Sequence, residues 1–258
     1  MPMGPAAPAG RRSSPIRGAI WPVSIRWSEI AAPPNGVPDR ARRPEAVTAH
    51  ARAGGPDFTR ESAGVQPVCG IDEAGRGPWA GPVVAAAVIL DASAIPAGLD
   101  DSKKLTARQR ERLFAELVAS ATVGVGQASV AEIETMNILQ ASHLAMRRAV
   151  ADLGTAPRRA LVDGRQVPPG LPCPAAAIVG GDARALSIAA ASIVAKVTRD
   201  RIMVALSQQF PGYGWHSNMG YGTKSHLEGL ERLGVTPHHR RLFRPIHKML
   251  CKAKPLTG

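Results

Sequence analysis

The sequence has few cysteines and no long apolar run, and each shortage excludes a class of protein. The three cysteines, Cys69, Cys173 and Cys251, are odd in number and far apart, and none has the Cys-X-X-Cys spacing of a zinc site. This excludes a disulfide framework and indicates a reduced, cytoplasmic chain. The longest apolar run, Val83–Leu90, is far too short to cross a bilayer, so no membrane partner is expected.

Acidic residues are also scarce, because 20 Asp and Glu stand against 32 Lys and Arg, which gives a net charge of +12. This balance favours a polyanionic partner, although basic proteins without one are common. Residues 1–65 hold ten of the 23 prolines and nine arginines but no lysine, without a sustained helical or strand period. We therefore predict a disordered extension, or a start codon assigned too early, over residues 1–64 and a folded domain over residues 65–258.

Strands and helices alternate through this domain. Apolar or alternating runs predict strands at Pro67–Asp72, Val83–Leu90, Ala121–Ala128, Arg159–Asp163 and Ala175–Val179. Helical signals predict a helix with a capping box at Thr106 and Gln109, a helix along Ile138–Ala149, and further helices near Arg184–Gln208 and Lys224–Leu233. The order predicts an α/β fold, with a mixed five-stranded sheet flanked by helices and a C-terminal helical extension.

Acidic residues follow three of the predicted strands. Asp72 closes the first strand, Asp163 closes the fourth, and Asp182 follows the fifth. Ligands bind where such strands end, and Glu73 can join these acids if the strand breaks after Asp72, as Gly75 would permit. Clustered carboxylates need cations, and oxygen donors suit Mg²⁺ or Mn²⁺. Each acid alone could instead belong to a turn or cap a helix, as Asp182 could.

Glycine dominates the segment after the first acids, and several further motifs accompany it. The stretch GIDEAGRGPWAGPVVAAAV at residues 70–88 resembles the signature of the ribonuclease HII family. The resemblance continues in DDSKKLT at residues 100–106, LVDG at 161–164, GGDARALSIAAASIVAKVTRDR at 180–201 and GYGTKSH at 220–226. It covers about residues 65–245 in the expected order, and residues 1–64 have no counterpart.

The resemblance implies a ribonuclease H-like fold and an endonuclease. Such an enzyme hydrolyses the RNA strand of RNA–DNA hybrids and incises DNA 5′ of embedded ribonucleotides, leaving 5′-phosphate and 3′-hydroxyl ends. By the same resemblance, Asp72, Glu73, Asp163 and Asp182 are the catalytic residues and the ligands of two divalent ions, Mn²⁺ or Mg²⁺. One ion would activate a water for in-line attack and the other would stabilise the leaving 3′-oxygen.

The resemblance also implies substrate contacts. Gly75, Arg76 and Gly77 match a glycine element whose backbone contacts the 2′-hydroxyl of the ribonucleotide, the only group that separates RNA from DNA at one site. Tyr221 matches a tyrosine that packs on the neighbouring deoxyribose. Candidate phosphate contacts are Lys103, Lys104, Lys196 and Lys224.

Other polar residues are left outside this site. Asp200 matches a family position but is not placed among the metal ligands, and it is expected to pair with Arg199 or Arg201. The histidines near Tyr221 suit neither zinc nor a catalytic triad in their spacing. We expect them at the surface or facing nucleic acid: His216, His226, His238 and His239.

Two other functions stay open on the residues alone. A non-catalytic duplex binder would keep the positive charge and Tyr221 but would have no use for four acids. A resolvase-type metal nuclease would keep the acids but neither the glycine element nor the tyrosine. The expected protein is a cytoplasmic monomer that acts on RNA–DNA hybrids and on DNA with embedded ribonucleotides.

Overall fold

Five strands form one mixed sheet in the computed structural model, which describes residues 55–252. They are β1 (Val68–Ala74), β2 (Val83–Ile89), β3 (Thr122–Ala128), β4 (Arg159–Asp163) and β5 (Ala175–Ile178). Their order is β3-β2-β1-β4-β5. The first three strands are antiparallel neighbours, whereas β4 is parallel to β1 and β5 is parallel to β4. The predicted five-stranded mixed sheet is confirmed.

Helices follow the strands in the predicted alternation. They are α1 (Thr59–Ser62), α2 (Ala107–Ser120), α3 (Val130–Met136), α4 (Ile138–Asp152), α5 (Leu186–Gln209), α6 (Trp215–Asn218), α7 (Lys224–Leu233) and α8 (Arg244–Lys252). The predicted capping box begins α2, because the Thr106 hydroxyl accepts from the Gln109 backbone N–H and the Gln109 side chain accepts from the Thr106 backbone. The short α3, which was not predicted, has a capping box of its own.

The two long helices cover opposite faces of the sheet. Small buried residues of α5, with α2, pack on Ala86 and Val88 of β2. On the other face of the sheet, α4 packs on side chains of β1 and β2, among them Ile71 and Ala85. Gly70 lets α5 lie directly on β1, since a Cβ atom there would strike the backbone of Ser187. No helix among the described residues is long and apolar enough to span a membrane.

Two details differ from the sequence-based expectation. The first strand does not break after Asp72: it continues to Ala74, and Asp72 and Glu73 pair in register with Ala86 and Ala85 of β2. Residues 55–64, placed in the predicted extension, pack against the domain. Glu61 of α1 is buried and accepts hydrogen bonds from the backbone N–H and the hydroxyl of Ser187, at 2.8 and 2.6 Å. Residues 1–54 lie outside the described residues.

Candidate active site

The four predicted acids come from three neighbouring elements of the sheet edge. Asp72 and Glu73 lie in the C-terminal half of β1, and Asp163 is the last residue of β4. Because β1 and β4 are parallel, these ends meet at one edge. Asp182 lies in a 3₁₀ turn after β5, and the backbone N–H of Gly181 in that turn donates to Asp163 Oδ1 at 2.7 Å. Although β1 does not break after Asp72, Glu73 still interacts electrostatically with Asp72 and Asp163, so the fold brings the four acids close to one another.

Burial and mutual repulsion shift the pKa values of the carboxyls in this cluster. Burial, followed by repulsion from Glu73, Asp163 and Asp182, raises the pKa of Asp72 well above its ordinary value. Burial also raises the pKa of Glu73, although Arg76, whose Nη1 lies 3.2 Å from Glu73 Oε1, opposes the shift. The site therefore disfavours the charged forms of these carboxyls unless cations neutralise them.

Asp182 has a different role from the helix cap that its position permitted. Helix α5 begins at Leu186, its N-cap residue is Ala185, and no side chain caps it. Burial, followed by repulsion from Asp101 and Asp163, raises the pKa of Asp182, and Lys103 opposes this shift. The cap interpretation is therefore wrong for Asp182, whose carboxyl interacts with the acid cluster.

Asp101 is a fifth acid that the sequence analysis missed. Its carboxyl lies beside that of Asp182, and the Lys103 ammonium is 3.9 Å from Asp101 Oδ1 and 3.6 Å from Asp182 Oδ2. The adjacent acids in DDSKK were a signal, but nothing in the local pattern indicates which one faces the site. Asp100 instead pairs with Lys104, at 3.1 Å.

The donor set of the cluster suits a hard divalent cation in its chemistry. All of its donors are carboxylate oxygens, the ligands that Mg²⁺ and Mn²⁺ prefer, and a cation would relieve the repulsion that raises the pKa of Asp72. Within residues 55–252, however, no three His, Cys, Asp or Glu side chains converge tightly enough to hold a metal ion. The residue types therefore fit such an ion, while the side chains do not enclose one as they stand.

The glycine turn, residues 75–82 between β1 and β2, directly adjoins the acids. Gly75 has φ = +97°, a left-handed conformation that favours glycine, and a Cβ atom there would strike the Arg199 side chain. A Cβ atom on Gly77 would lie 3.5 Å from Cε1 of Tyr221, whose side chain is among the exposed large hydrophobics. The turn thus lies between the acids and the tyrosine ring: Arg76 pairs with Glu73 on one side, and Gly77 faces Tyr221 on the other.

Asp200 pairs with a residue other than those expected. Its Oδ1 lies 2.8 Å from the ammonium of Lys196, one helical turn earlier on α5. Both partners are half-buried. The assignment of Lys196 as a phosphate contact stays a prediction.

The histidines near Tyr221 are mostly buried, contrary to expectation. His226 and His239 are fully buried and His238 is 8% exposed, whereas His216 is exposed. Nδ1 of His226 lies 2.9 Å from the carbonyl oxygen of Tyr221 and therefore donates to it. Burial lowers the pKa of His226, and burial together with His226 lowers that of His239 to about 3. The buried rings therefore favour the neutral form, and the hydrogen bond from His226 supports the loop that carries Tyr221.

Comparison with known proteins decides the family. The profile described as Ribonuclease HII matches residues 69–249. The chain belongs to the ribonuclease HII family. The ribonuclease HII of Ruegeria pomeroyi is 60% identical over 199 residues, 76% of this chain and 85% of that protein. That of Paracoccus denitrificans is 59% identical over 206 residues, 78% of this chain and 98% of that protein. The solved ribonuclease H2 of Pyrococcus horikoshii OT3 has a TM-score of 0.61 at 31% identity, covering 72% of this chain and 97% of that one.

Membership of the ribonuclease HII family settles the general activity. The enzyme is an endonucleolytic ribonuclease H, a hydrolase that cleaves the RNA strand of RNA–DNA hybrids. The predicted family and the ribonuclease H-like α/β fold are confirmed. A non-catalytic duplex binder and a resolvase-type nuclease are both excluded.

Proposed function

We propose that this enzyme also incises DNA on the 5′ side of a single embedded ribonucleotide. The observation that carries the proposal is the proximity of the glycine turn, the tyrosine and the acids. The position of a Cβ on Gly77 is 3.5 Å from the Tyr221 ring, and Arg76 binds Glu73 at 3.2 Å. Three parts therefore lie next to one another: the glycine turn that tests one sugar, the Tyr221 ring that tests the next, and the carboxylates that serve hydrolysis.

The two recognition elements have complementary chemistry. A 2′-hydroxyl both donates and accepts hydrogen bonds, and the backbone of Gly75-Arg76-Gly77 offers both kinds of partner without a side chain to keep the sugar away. The exposed ring of Tyr221 offers an apolar face, which suits a sugar that lacks this hydroxyl. Together they select a junction in which a ribonucleotide is followed by deoxyribonucleotide.

The acid cluster would serve hydrolysis. We assign Asp72, Glu73, Asp163 and Asp182 as ligands of two divalent ions, Mn²⁺ or Mg²⁺, which when bound supply an activated water and stabilise the leaving 3′-oxygen. Cleavage in this sense leaves a 5′-phosphate and a 3′-hydroxyl. The side chain of Lys103 is 80% exposed although its ammonium lies 3.6 Å from Asp182, so it can reach a substrate phosphate from the edge of the cluster.

Cleavage of two duplexes tests the proposal. One is DNA with a single ribonucleotide, the other a long RNA–DNA hybrid, each with Mn²⁺ or Mg²⁺ and then with EDTA, at fixed salt because phosphate affinity depends on salt. Wild type should cut the first 5′ of the ribonucleotide. Tyr221→Ala should lose about 1–3 kcal/mol of favourable interaction with the substrate, mainly with the single-ribonucleotide duplex. Tyr221→Phe keeps the ring and should cut near the wild-type rate.

Two results would contradict the proposal. If wild type ignores a lone ribonucleotide but cuts runs of four or more, the enzyme does not incise at single ribonucleotides. If Tyr221→Ala cuts the single-ribonucleotide duplex at the wild-type rate, the tyrosine does not sense the neighbouring sugar.

The molecular context is also proposed. We expect a cytoplasmic monomer in which residues 1–54 are dispensable for cleavage, because residues 55–252 contain the complete sheet and all of the assigned site residues. A chain that begins at Gly55 should match the full chain in turnover on both duplexes and should elute as a monomer in light-scattering chromatography. A large loss of turnover would contradict this expectation.

A further inference from the structure

Two arginines are buried behind the glycine turn without an acidic partner. Arg199 of α5 is 1% exposed, and Arg240, between α7 and α8, is fully buried. Among residues 55–252 neither forms an ion pair with a carboxylate. Burial lowers the pKa of Arg199 to about 10 and that of Arg240 to about 9. A buried cation without a counter-ion is costly, so its other interactions must be strong.

Arg240 is held by backbone carbonyl groups of the glycine turn. Its guanidinium donates to the oxygens of Gly75 at 2.6 Å and Arg76 at 2.9 Å. It donates also to Gly81 at 2.8 and 3.0 Å and to Pro82 at 3.2 Å. One planar group thus fixes both ends of the turn.

Arg199 joins this turn to the tyrosine loop. Its guanidinium donates to the carbonyl oxygens of Pro82 at 3.1 Å and Ala80 at 3.0 Å on the turn side. It donates also to Met219 at 2.9 Å, two residues before Tyr221. The same side chain occupies the space that a Cβ atom on Gly75 would need. Its position therefore couples the two recognition elements.

These contacts turn the carbonyl groups inward and leave amide groups for a ligand. The backbone N–H groups of Arg76 and Gly77 donate to no backbone carbonyl group among the described residues. We propose that Arg199 and Arg240 are positioning residues for ribonucleotide recognition, which hold the glycine turn and Tyr221 at one fixed separation. This inference rests on the proposed function, because it assigns the device that aligns its two sensors.

Replacement by lysine separates charge from geometry. Lysine keeps the positive charge, but its ammonium cannot span carbonyl groups that a planar guanidinium reaches with several fixed donors. Arg148→Lys is the control for replacing an arginine elsewhere: Arg148 of α4 is exposed, pairs with Glu132 at 2.7 Å, donates to the carbonyl of Gln127 at 2.7 Å and belongs to neither recognition element.

The test is a binding preference, measured with the full-length protein in EDTA so that no cleavage occurs. The ratio of the dissociation constants for an all-DNA duplex and for the same duplex with one ribonucleotide is determined at fixed salt. For Arg199→Lys and Arg240→Lys this ratio should fall about tenfold. If the wild-type ratio is itself below about ten, the ratio of each variant should fall to one. All-DNA binding should change little, and Arg148→Lys should keep the wild-type ratio.

Several outcomes would overturn the inference. If the arginines serve stability alone, the variants will have a lower melting temperature but an unchanged ratio. Failure of both variants to fold would also show that Arg199 and Arg240 have a purely structural role. A wild-type ratio of one would leave nothing for the arginines to align. Incision of the single-ribonucleotide duplex by wild type with Mn²⁺ is scored in parallel. Its absence rejects the proposed function, whereas incision with unchanged variant ratios rejects this inference alone.

Discussion

Replacing Asp72 with asparagine should abolish cleavage and at the same time stabilise the metal-free protein. Asp72 is 6% exposed, and burial together with Glu73, Asp163 and Asp182 raises its pKa well above the ordinary value. An amide of the same shape removes one charge from this repulsion. Its oxygen can still accept the hydrogen bond from the Glu73 backbone N–H, now 2.6 Å long.

The magnitude follows from electrostatics. Two like charges about 6 Å apart at an effective dielectric constant of about 20 repel by about 3 kcal/mol, so neutralising one member should stabilise the fold by about 1–3 kcal/mol. For a domain of this size, each 1 kcal/mol raises the melting temperature by about 2–4 °C. The expected increase at a pH above the folded pKa of Asp72 is therefore roughly 2–12 °C.

The sign of the pH dependence is set by the direction of the pKa shift. A carboxyl whose pKa is raised on folding binds its proton more tightly in the folded state, so stability falls as pH rises between the unfolded and the folded pKa. The advantage of Asp72→Asn should therefore be greatest above the folded pKa of Asp72 and should shrink as the pH falls through it toward 3.8. Mn²⁺ should stabilise wild type more than the variant.

Thermal melting in EDTA between pH 4 and pH 8 measures this effect, with turnover and duplex affinity recorded on the same preparations. Glu231→Gln, an exposed acid on α7, is the control and should leave the melting temperature nearly unchanged. Asp72→Asn should bind duplex like wild type, because the basic surface is intact. A variant that melts below wild type at pH 7 would refute the electrostatic reasoning, and near-wild-type turnover would remove Asp72 from the site.

Three further changes test other parts of the structure. Glu61→Ala removes the buried acceptor of both Ser187 hydrogen bonds and should cost about 1–3 kcal/mol of stability in a denaturant titration, against an unchanged turnover of the folded enzyme. Lys103→Ala should raise KM for both duplexes and weaken the salt dependence of binding, and equal salt slopes would remove Lys103 from the phosphate contacts. Gly75→Ala places a Cβ against Arg199 and should reduce the rate of incision at a lone ribonucleotide by at least about tenfold in steady-state kinetics. Wild-type kinetics would mean that the turn accommodates the methyl group.

The sequence alone was sufficient for the five strands and most of the longer helices. Local rules determine these features, because apolar periodicity, capping boxes and breaker residues act over a few positions. Arg159–Asp163 and Lys224–Leu233 were predicted with the bounds that the structure shows. The same rules placed Asp163 at the end of a short buried strand, whereas its assignment as a metal ligand came from the family resemblance and stays a prediction.

Only the tertiary structure decided which side chains support the site. Asp101, His226, Arg199 and Arg240 act through partners that are distant in sequence, as when Arg240 donates to Gly75, 165 positions away. Their sequence neighbourhoods resemble those of surface residues, and charge alone favours solvent for an arginine or a histidine. His226, Arg199 and Arg240 are buried because backbone carbonyl groups and neighbouring rings from separate elements replace water there, and such partners exist only after the chain has folded.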